Sequence, residues 1–181
     1  MRILDLGCGI DREIRTKKFK IEKAKIIGLD NFQYGDVDII HDLEKMPLPF
    51  NDNYFDKIIA SHILEHIQNF FPLMKELHRI LKPNGILDIY VPNGLSWASF
   101  YLDHKRSFNL QSFRFLKKDC FENHTGISFE ILKEEFNFAG IHSRWYSLNF
   151  IINPILNLWK GFVERFIPAL PDEIHIELKK V

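Results

Sequence analysis

A short strand that runs directly into a glycine turn constrains this chain more than any other feature of its sequence. Residues 3–6 have a buried-strand pattern, and Gly7-Cys8-Gly9 follows them at once. Because glycine lacks a β-carbon, Gly7 and Gly9 can adopt positive φ angles and let a small molecule lie against bare backbone amides. The turn therefore predicts a ligand site at the end of the first strand, with an adenosine-bearing molecule as the first candidate.

Short β-branched runs alternate with helical patterns through the first half of the chain. Five of these runs are predicted to be strands: residues 2–6, 25–30, 37–41, 56–61 and 85–91. Runs that are apolar on both faces indicate a parallel sheet covered on both sides, and strand–helix–strand connections are right-handed. The sequence therefore predicts a doubly wound α/β fold.

Two helical patterns are clear. Between residues 67 and 81 the apolar side chains form one stripe, which stops before Pro83. Residues 153–167 predict a second, amphipathic helix, with Asn153 as its cap and Pro154 in its first turn. Polar residues interrupt this helix too often for a membrane span, so it is predicted to pack on the core or to form a lid. Docking on a membrane surface is the alternative.

The remaining segments have weaker patterns. The charged link at residues 10–24 predicts a helix of about two or three turns, and residues 127–138 predict another helix. Residues 141–148 and 174–178 are predicted to be strands, and the alternation of apolar and polar residues in the second predicts that one of its faces is drier. Residues 93–124 are rich in aromatic and polar side chains without a regular period, which predicts an insertion over the active site rather than core.

Composition narrows the function and the compartment. A chain of 181 residues with 46% hydrophobic content is predicted to form one domain over residues 1–181. Lys plus Arg equal Asp plus Glu at 24 each, so no basic excess exists for binding nucleic acid. Cys8 and Cys120 are the only cysteines and lie far apart, which indicates a reducing compartment. Charges at Arg2 and Asp5 disfavour a signal peptide, so the predicted location is cytoplasmic.

Five motifs, taken in order, resemble those of the class I S-adenosylmethionine-dependent methyltransferases, and specifically of small members with a D-L-G-C-G first motif. They are Asp5-Leu6-Gly7-Cys8-Gly9, Gly28-Leu29-Asp30, His41-Asp42-Leu43 with Met46-Pro47-Leu48-Pro49-Phe50, residues 54–67, and Lys82-Pro83-Asn84-Gly85. The resemblance is close from residue 1 to about residue 92 and holds only in outline afterwards. It implies S-adenosylmethionine as the cofactor and a Rossmann-like, mostly parallel seven-stranded sheet whose last strand returns antiparallel. The implied reaction is methyl transfer to an oxygen, nitrogen or carbon nucleophile of a small molecule by in-line displacement.

The resemblance also implies which residues hold the cofactor. Five residues of the glycine turn would contact its methionine portion: Asp5, Leu6, Gly7, Cys8 and Gly9. Asp30, followed by Asn31, would take the ribose hydroxyls, since one carboxylate can accept from two hydroxyls at once. Asp42 would accept from the exocyclic amine of the adenine, which Leu43 would shield from water. Capping of a local turn is the alternative for Asp30.

Three further polar residues are candidates near the reacting group. The resemblance implies that Ser61 and His62 lie near the sulfonium and the amino-acid group. His62 and His66 have the four-residue spacing of metal ligands, but H-E-x-x-H is absent and the family uses no metal here, so no metal is predicted. Helix packing or a contact with the cofactor is expected for both. His104 precedes Phe108 in an H-x-x-x-F stretch that resembles one in small-molecule methyltransferases, and it is the candidate to contact substrate or act as a base. A surface-loop histidine is the alternative.

The first strand begins beside residue 1, so the cover of the cofactor is expected from residues 93–124 and 153–167, or from a second subunit of a homo-oligomer. Trp159 and the apolar turns after it would suit a lipid-like substrate. Two other functions stay open. One is a non-catalytic S-adenosylmethionine-binding or scaffold domain. The other is a nicotinamide-dependent oxidoreductase, although Arg12 stands where its G-x-G-x-x-G turn needs glycine.

Overall fold

A seven-stranded sheet forms the centre of the computed structural model, which describes residues 1–10, 24–33, 35, 37–121, 123–140 and 143–181. The strands are β1 (Arg2–Leu6), β2 (Lys25–Asp30), β3 (Ile39–Ile40), β4 (Phe55–Ser61), β5 (Leu81–Pro92), β6 (Phe129–Asn137) and β7 (Glu173–Lys180). Their spatial order is β3-β2-β1-β4-β5-β7-β6. The first five strands pair in parallel, and β7 runs antiparallel to β5 and β6. The predicted Rossmann-like α/β fold with an antiparallel last strand is therefore confirmed.

The order of the strands places a crevice at one edge of the sheet. From β1 the chain proceeds outward through β2 and β3, and it then returns to the other side of β1 with β4 and β5. Such a reversal leaves a gap outside the carboxyl ends of the two strands that flank it, where ligands of α/β proteins bind. The loops after β1 and β4 therefore face each other across this crevice.

The first described α-helix, α1 (Phe70–Ile80), confirms the predicted stripe between residues 67 and 81. Its buried side chains belong to the core that covers the sheet: Phe70, Leu73, Met74, Leu77 and Ile80. The helix begins at Phe70 because a carboxylate from another loop supplies the cap. Glu44 Oε2 accepts a hydrogen bond of 2.8 Å from the Asn69 amide, whereas the Asn69 side chain makes no cap hydrogen bond.

An ion-paired cluster ties α1 to the loop before β4. Arg79 donates to both carboxylate oxygens of Glu76, at 2.9 and 2.7 Å, and to the carbonyls of Leu48 and Phe50. Glu76 in turn accepts a hydrogen bond of 2.8 Å from the Leu48 amide. The hydrogen bonds from Arg79 hold the pKa of the Glu76 carboxyl below its usual value.

Replacing Glu76 with glutamine is expected to lower the free energy of unfolding at neutral pH by about 1–2 kcal/mol, because charge-assisted hydrogen bonds to Arg79 are lost. Since folding lowers the pKa of Glu76 from 4.5, the stabilisation is present above pH 4.5 and disappears as the pH falls through the lower folded-state pKa. Urea unfolding of both proteins at neutral pH and at about pH 3 measures this difference, which should shrink in acid. Asp119→Asn removes an exposed carboxylate 3.6 Å from Lys117 and should have little effect at either pH. A gap of equal size at both pH values would contradict the prediction.

The sixth strand lies where a helix was predicted. The helix expected at residues 127–138 is wrong, because this segment forms β6 and pairs with β7 along its length. A register shift between Ile131 and Lys133 leaves Leu132 exposed, and this bulge interrupts the alternation of buried and exposed side chains. The interrupted alternation gives the sequence a helix-like spacing of apolar residues.

The strand predicted at residues 141–148 is also wrong over its described part. Residues 143–148 form a bend and a turn that lead into a 3-10 helix (Tyr146–Leu148), and residues 141 and 142 lie outside the described part of the chain. The helix expected in the link at residues 10–24 falls almost wholly on residues 11–23, which are likewise outside it. The count of seven strands was therefore correct, but the sixth was assigned to the wrong segment.

The last strand, β7, is confirmed, but it does not have one drier face. It lies between β5 and β6, and Ile174, Ile176 and Leu178 are fully buried. Glu173 and His175, which alternate with them, are also buried. Each finds a charged partner, so the alternating pattern reflects paired polar groups rather than solvent on one side.

The helix predicted at residues 153–167 is two helices in the structure, α2 (Asn149–Leu158) and α3 (Lys160–Phe166), separated at Trp159. Asn153 does not cap the helix. Three asparagines spaced four residues apart on α2 instead bind the outer backbone of β6 and the residues after it: Asn149, Asn153 and Asn157. Each side-chain oxygen accepts a hydrogen bond of 2.8–2.9 Å from a backbone amide. These bonds satisfy the edge of the sheet, which would otherwise offer unpaired amides.

Most of the apolar face of α2 and α3 is exposed, so of the two expected roles the packing on the core is wrong and the lid stays a prediction. Leu156 and Val163 are buried, whereas Phe150, Leu158 and Trp159 are 86%, 80% and 60% exposed. The asparagine contacts with β6 decide this orientation, because they turn the polar stripe of α2 inward. In the described ranges no helix is long and apolar enough to cross a membrane.

The segment at residues 93–124 contributes to the core, so the expectation of an insertion without core residues is wrong in part, and its place over the active site stays a prediction. Phe108, Leu110, Phe113 and Leu116 are buried, and the rings of Phe108 and Phe113 stack with centroids 5.2 Å apart. Because the backbone of this segment is irregular, its buried residues have no regular spacing in the sequence.

Candidate active site

The glycine turn after β1 packs closely against the loop that follows β4. Gly7 and Gly9 have φ angles of 62° and 59°. The Gly7 and Cys8 amides donate to the Leu29 carbonyl at 2.8 and 3.2 Å, which fixes the turn against the end of β2. A β-carbon on Gly7 would lie 2.6 Å from Cγ1 of Ile63. Gly7 therefore meets two requirements that only glycine satisfies, a left-handed backbone and the absence of a side chain.

Asp30, at the end of β2, binds the glycine turn directly. Its Oδ2 accepts a hydrogen bond of 3.0 Å from the Gly9 amide, and its Oδ1 accepts one of 3.3 Å from the Phe32 amide. A carboxylate has about four lone-pair sites, so each oxygen retains capacity for another donor. The carboxylate is thus held in place with acceptor capacity toward the crevice.

A cleft of about 150 Å³ lies at this point, and five of the predicted cofactor residues line it: Gly7, Asp30, Asn31, Asp42 and Leu43. Four further residues line it: Glu44, Ile63 and Ile67, which were not predicted, and His66, for which helix packing or a contact with the cofactor was expected. Three of these four follow β4 in the chain. The rule that carboxyl ends of parallel strands share one edge indicates this loop, but only Ser61 and His62 of its motif over residues 54–67 were assigned to the site.

The other predicted cofactor residues do not line the cleft. Asp5, Leu6 and Cys8 are buried beneath the turn, at most 4% exposed. Ser61 is buried at the end of β4, and the Gly9 amide is engaged by Asp30. Their assignment to the cofactor stays a prediction.

Asp42 follows β3 at the far side of the cleft. Its Oδ1 accepts a hydrogen bond of 3.0 Å from the Glu44 amide, and its Oδ2 lies 3.5 Å from Nζ of Lys45. The Glu44 amide, with a smaller contribution from Lys45, lowers the pKa of the Asp42 carboxyl. Leu43 beside it is buried and provides an apolar wall. An anionic acceptor next to an apolar surface suits a flat base that carries an amino group.

His62 directs its ring away from the cleft and toward β7. Its backbone has a φ angle of 53°, and its Nε2 lies 2.7 Å from Oε2 of Glu173. Burial lowers the pKa of His62, but the hydrogen bond to Glu173 and the nearby Glu65 carboxylate outweigh it and raise the pKa to about 9. His62 is therefore an imidazolium at neutral pH, which rules against a role as general base there.

His104 lies against the loop after β4 rather than on an open surface. Its ring meets that of His66 edge to face, with centroids 4.8 Å apart, and the Lys105 amide donates to the Glu65 carbonyl at 2.7 Å. Since His66 lines the cleft, these contacts place His104 next to it. Its role as a base or substrate contact stays a prediction.

A second cleft, of about 300 Å³, lies beyond the carboxyl end of β5. Asn93 and Gly94, residues 107–109, Phe136 and Glu164 of α3 contribute to its lining. It is bounded by the segment at residues 93–124 and by α3, the two elements expected to cover the site.

Comparisons with known proteins find similarity to methyltransferases. The family described as "Methyltransferase domain" matches residues 4–89. Cycloartenol-C-24-methyltransferase 1 of Oryza sativa subsp. japonica is 31% identical over 106 residues, which cover 50% of this chain and 30% of that protein. Demethylmenaquinone methyltransferase of Geobacillus stearothermophilus is 36% identical over 78 residues, 43% of this chain and 31% of that protein.

The fold has a counterpart among solved structures. A SAM-dependent methyltransferase from Archaeoglobus fulgidus superposes with a TM-score of 0.64 at 22% identity, over 99% of this chain and 86% of that chain. By contrast, the chain aligns with only about a third of the length of the two curated relatives. The matched residues include the glycine turn and every strand end that lines the first cleft. Over residues 4–89, just under half of its length, the chain matches the methyltransferase domain family, and its fold as a whole is shared with a SAM-dependent methyltransferase.

Proposed function

We propose that this chain transfers the methyl group of S-adenosylmethionine to a small, lipid-like acceptor. The observation that carries the proposal is the cleft at the switch point of the sheet, where Gly7, Asp30 and Asp42 come together from three different strand ends. Two anchored carboxylates with acceptor capacity, beside a turn without side chains, fit an adenosyl group better than a phosphate, which they would repel.

In this proposal, different residues bind the ribose, the adenine and the methionine portion of the cofactor. Asp30 and Asn31 take the ribose hydroxyls, and Asp42 and Leu43 border the adenine. The turn at residues 5–9 supports the methionine portion. When bound, S-adenosylmethionine supplies an electrophilic methyl group on a sulfonium, and the bonding pair leaves with the sulfur. The protein's contribution is to align donor and acceptor, an effect worth about 7–11 kcal/mol at its upper range.

Two observations support a lipid-like acceptor. The curated relatives are named for a sterol precursor and a quinone precursor. In addition, α2 and α3 expose large apolar side chains, and Glu164 of α3 lines the second cleft. Exposed apolar side chains on an element that also lines a cleft favour an acceptor of low polarity. The two widely spaced cysteines support a cytoplasmic location within this proposal.

Methyl transfer is tested with S-adenosylmethionine labelled in its methyl group and a panel of acceptors. The panel contains a sterol, a demethylated quinone and, as polar controls, glycine and a catechol. We expect label in an apolar acceptor together with one equivalent of S-adenosylhomocysteine. Transfer to a polar control alone would overturn the lipid-like acceptor. Tight binding of S-adenosylhomocysteine without turnover of any acceptor would instead favour the non-catalytic binding domain.

A further inference from the structure

We propose that Glu65, His66 and His104 form a binding site for a divalent transition-metal ion beside the cofactor cleft. Each residue offers one ligand atom, and the three atoms lie within 4.8 Å of one another. Glu65 and His66 belong to the 3-10 helix Leu64–His66 after β4, and His104 comes from the segment at residues 93–124. The site is thus assembled by two segments that are distant in sequence.

The carboxylate of Glu65 is the first observation that points to a ligand. The residue is only 1% exposed, and neither of its oxygens accepts a hydrogen bond in the part of the chain that the structure describes. Its nearest charged neighbour is Nδ1 of His62, at 3.5 Å from Oε1, an ion-pair distance without hydrogen-bond geometry. Buried carboxylates are normally hydrogen-bonded, closely paired or bound to a metal. The loosely paired Glu65 therefore has coordination capacity that the described protein does not use.

The two histidines add a second, independent observation. Nδ1 of His104 is buried and has no hydrogen-bond partner among the described residues. Nδ1 of His66 lies 3.2 Å from Oδ2 of Asp103, a carboxylate contact that fixes the orientation of its ring. Such outer carboxylates commonly orient metal-binding imidazoles. The hydrogen bond from the Lys105 amide to the Glu65 carbonyl holds the two segments in register.

A second cluster of similar composition contains a buried carboxylate that the protein already pairs with charged side chains. Asp88, His175 and Glu177 also converge, but Asp88 accepts from His175 Nε2 at 2.7 Å and pairs with Lys57 Nζ at 2.6 Å. Its carboxylate is thus satisfied by the protein. The contrast singles out the Glu65 cluster as the one with unused ligand atoms.

The donor set decides the chemical class of the ion. One carboxylate and two imidazoles suit Zn²⁺, Co²⁺ or Fe²⁺, whereas Ca²⁺ and Mg²⁺ prefer oxygen ligands alone. Three protein ligands leave at least one coordination position for water or another oxygen ligand. The sequence predicted no metal because H-E-x-x-H is absent, and the only metal-ligand spacing it considered was that of His66 with His62, which the structure pairs with Glu173.

The location suggests what the open position would hold. His66 lines the cofactor cleft, so an ion bound beside it would face the space next to the cofactor. There it would bind an oxygen of the acceptor and fix its orientation. This role rests on the proposed function, whereas the binding of the ion does not.

The test titrates the full chain, without cofactor or acceptor, with Co²⁺ and follows the visible ligand-field bands. Equilibrium dialysis with Zn²⁺ gives the stoichiometry. We expect one ion to bind per chain. Changes to residues outside the ligand set of a metal site weaken metal binding by about 10- to 100-fold. Glu65→Gln and His104→Ala should each weaken Co²⁺ binding by more than that. The control is His124→Ala, which removes an exposed histidine from the same segment and should bind Co²⁺ normally.

Circular dichroism and thermal unfolding verify that each variant is folded. Absence of stoichiometric binding by the folded wild-type chain would overturn the inference, as would affinity that neither Glu65→Gln nor His104→Ala lowers. An equal loss in His124→Ala would identify surface coordination instead and would also overturn it. If the chain binds S-adenosylhomocysteine but not Co²⁺, only the metal site is contradicted. If it binds Co²⁺ but not S-adenosylhomocysteine, only the proposed function is contradicted.

Discussion

Replacing Asp30 with alanine is expected to weaken the binding of S-adenosylhomocysteine by about 10- to 100-fold, or about 1.4–2.7 kcal/mol. The variant loses the acceptor for the ribose hydroxyls. It also releases the Gly9 amide, which Asp30 holds at 3.0 Å, so the glycine turn loses one of its anchors. Isothermal titration calorimetry with S-adenosylhomocysteine measures the change, and a parallel titration with NAD should show no binding to either protein.

Two further variants separate the contributions of Asp30. Asp30→Asn retains one carbonyl oxygen and should show an intermediate loss, since an amide oxygen accepts more weakly than a carboxylate. Asp119→Asn changes an exposed carboxylate outside the cleft and should bind S-adenosylhomocysteine as the unaltered chain does. Unchanged affinity in a folded Asp30→Ala protein would show that the ribose lies elsewhere, and the placement of the cofactor would then be wrong.

Gly7→Ala is expected to lower the free energy of unfolding by about 2–5 kcal/mol and to weaken S-adenosylhomocysteine binding as well. About 1–2 kcal/mol comes from the left-handed backbone at φ 62°. The remainder, about 1–3 kcal/mol, comes from the new β-carbon, which would lie 2.6 Å from Cγ1 of Ile63 and force that side chain out of the cleft wall. Urea unfolding and calorimetric titration measure the two effects.

A matched glycine in the same chain isolates the backbone contribution. Gly126 has a φ angle of 76°, and no described atom lies within 4 Å of the position of its β-carbon. Gly126→Ala should therefore lose only the backbone part and should leave the affinity for S-adenosylhomocysteine unchanged. Adding Ile63→Ala to Gly7→Ala should recover the part that comes from the contact. If Gly7→Ala and Gly126→Ala destabilise the chain equally, the close approach of the two loops contributes nothing.

Local sequence patterns predicted the parallel half of the sheet because its central strands, β1 and β4, are largely buried on both faces. The predicted bounds of β1 and β2 match the structure, and Asp30 and Asp42 come where a strand ends, as expected. Burial of both faces leaves a continuous apolar run, which is readable without knowledge of the neighbours. Five of the predicted cofactor residues accordingly meet in one cleft.

Predictions from the sequence were wrong where a neighbouring strand or helix determines whether a side chain is buried or exposed. The bulge in β6 follows from its pairing with β7, and it disguises a strand as a helix. The asparagines of α2 turn inward because β6 offers an unpaired edge, so the apolar side chains that a periodicity analysis assigns to the core are exposed. Neither partner is recognisable within a local window of sequence.

By itself, the sequence determined the parallel β-strands, the glycine turn and the acidic residues at the strand ends, because these depend on backbone conformation and on burial along a single segment. Only the tertiary structure decided that Ile63 closes on Gly7, that His62 pairs with Glu173, and that His104 joins Glu65 and His66. Such contacts join residues far apart in the chain, and their energies depend on distances that no local pattern encodes.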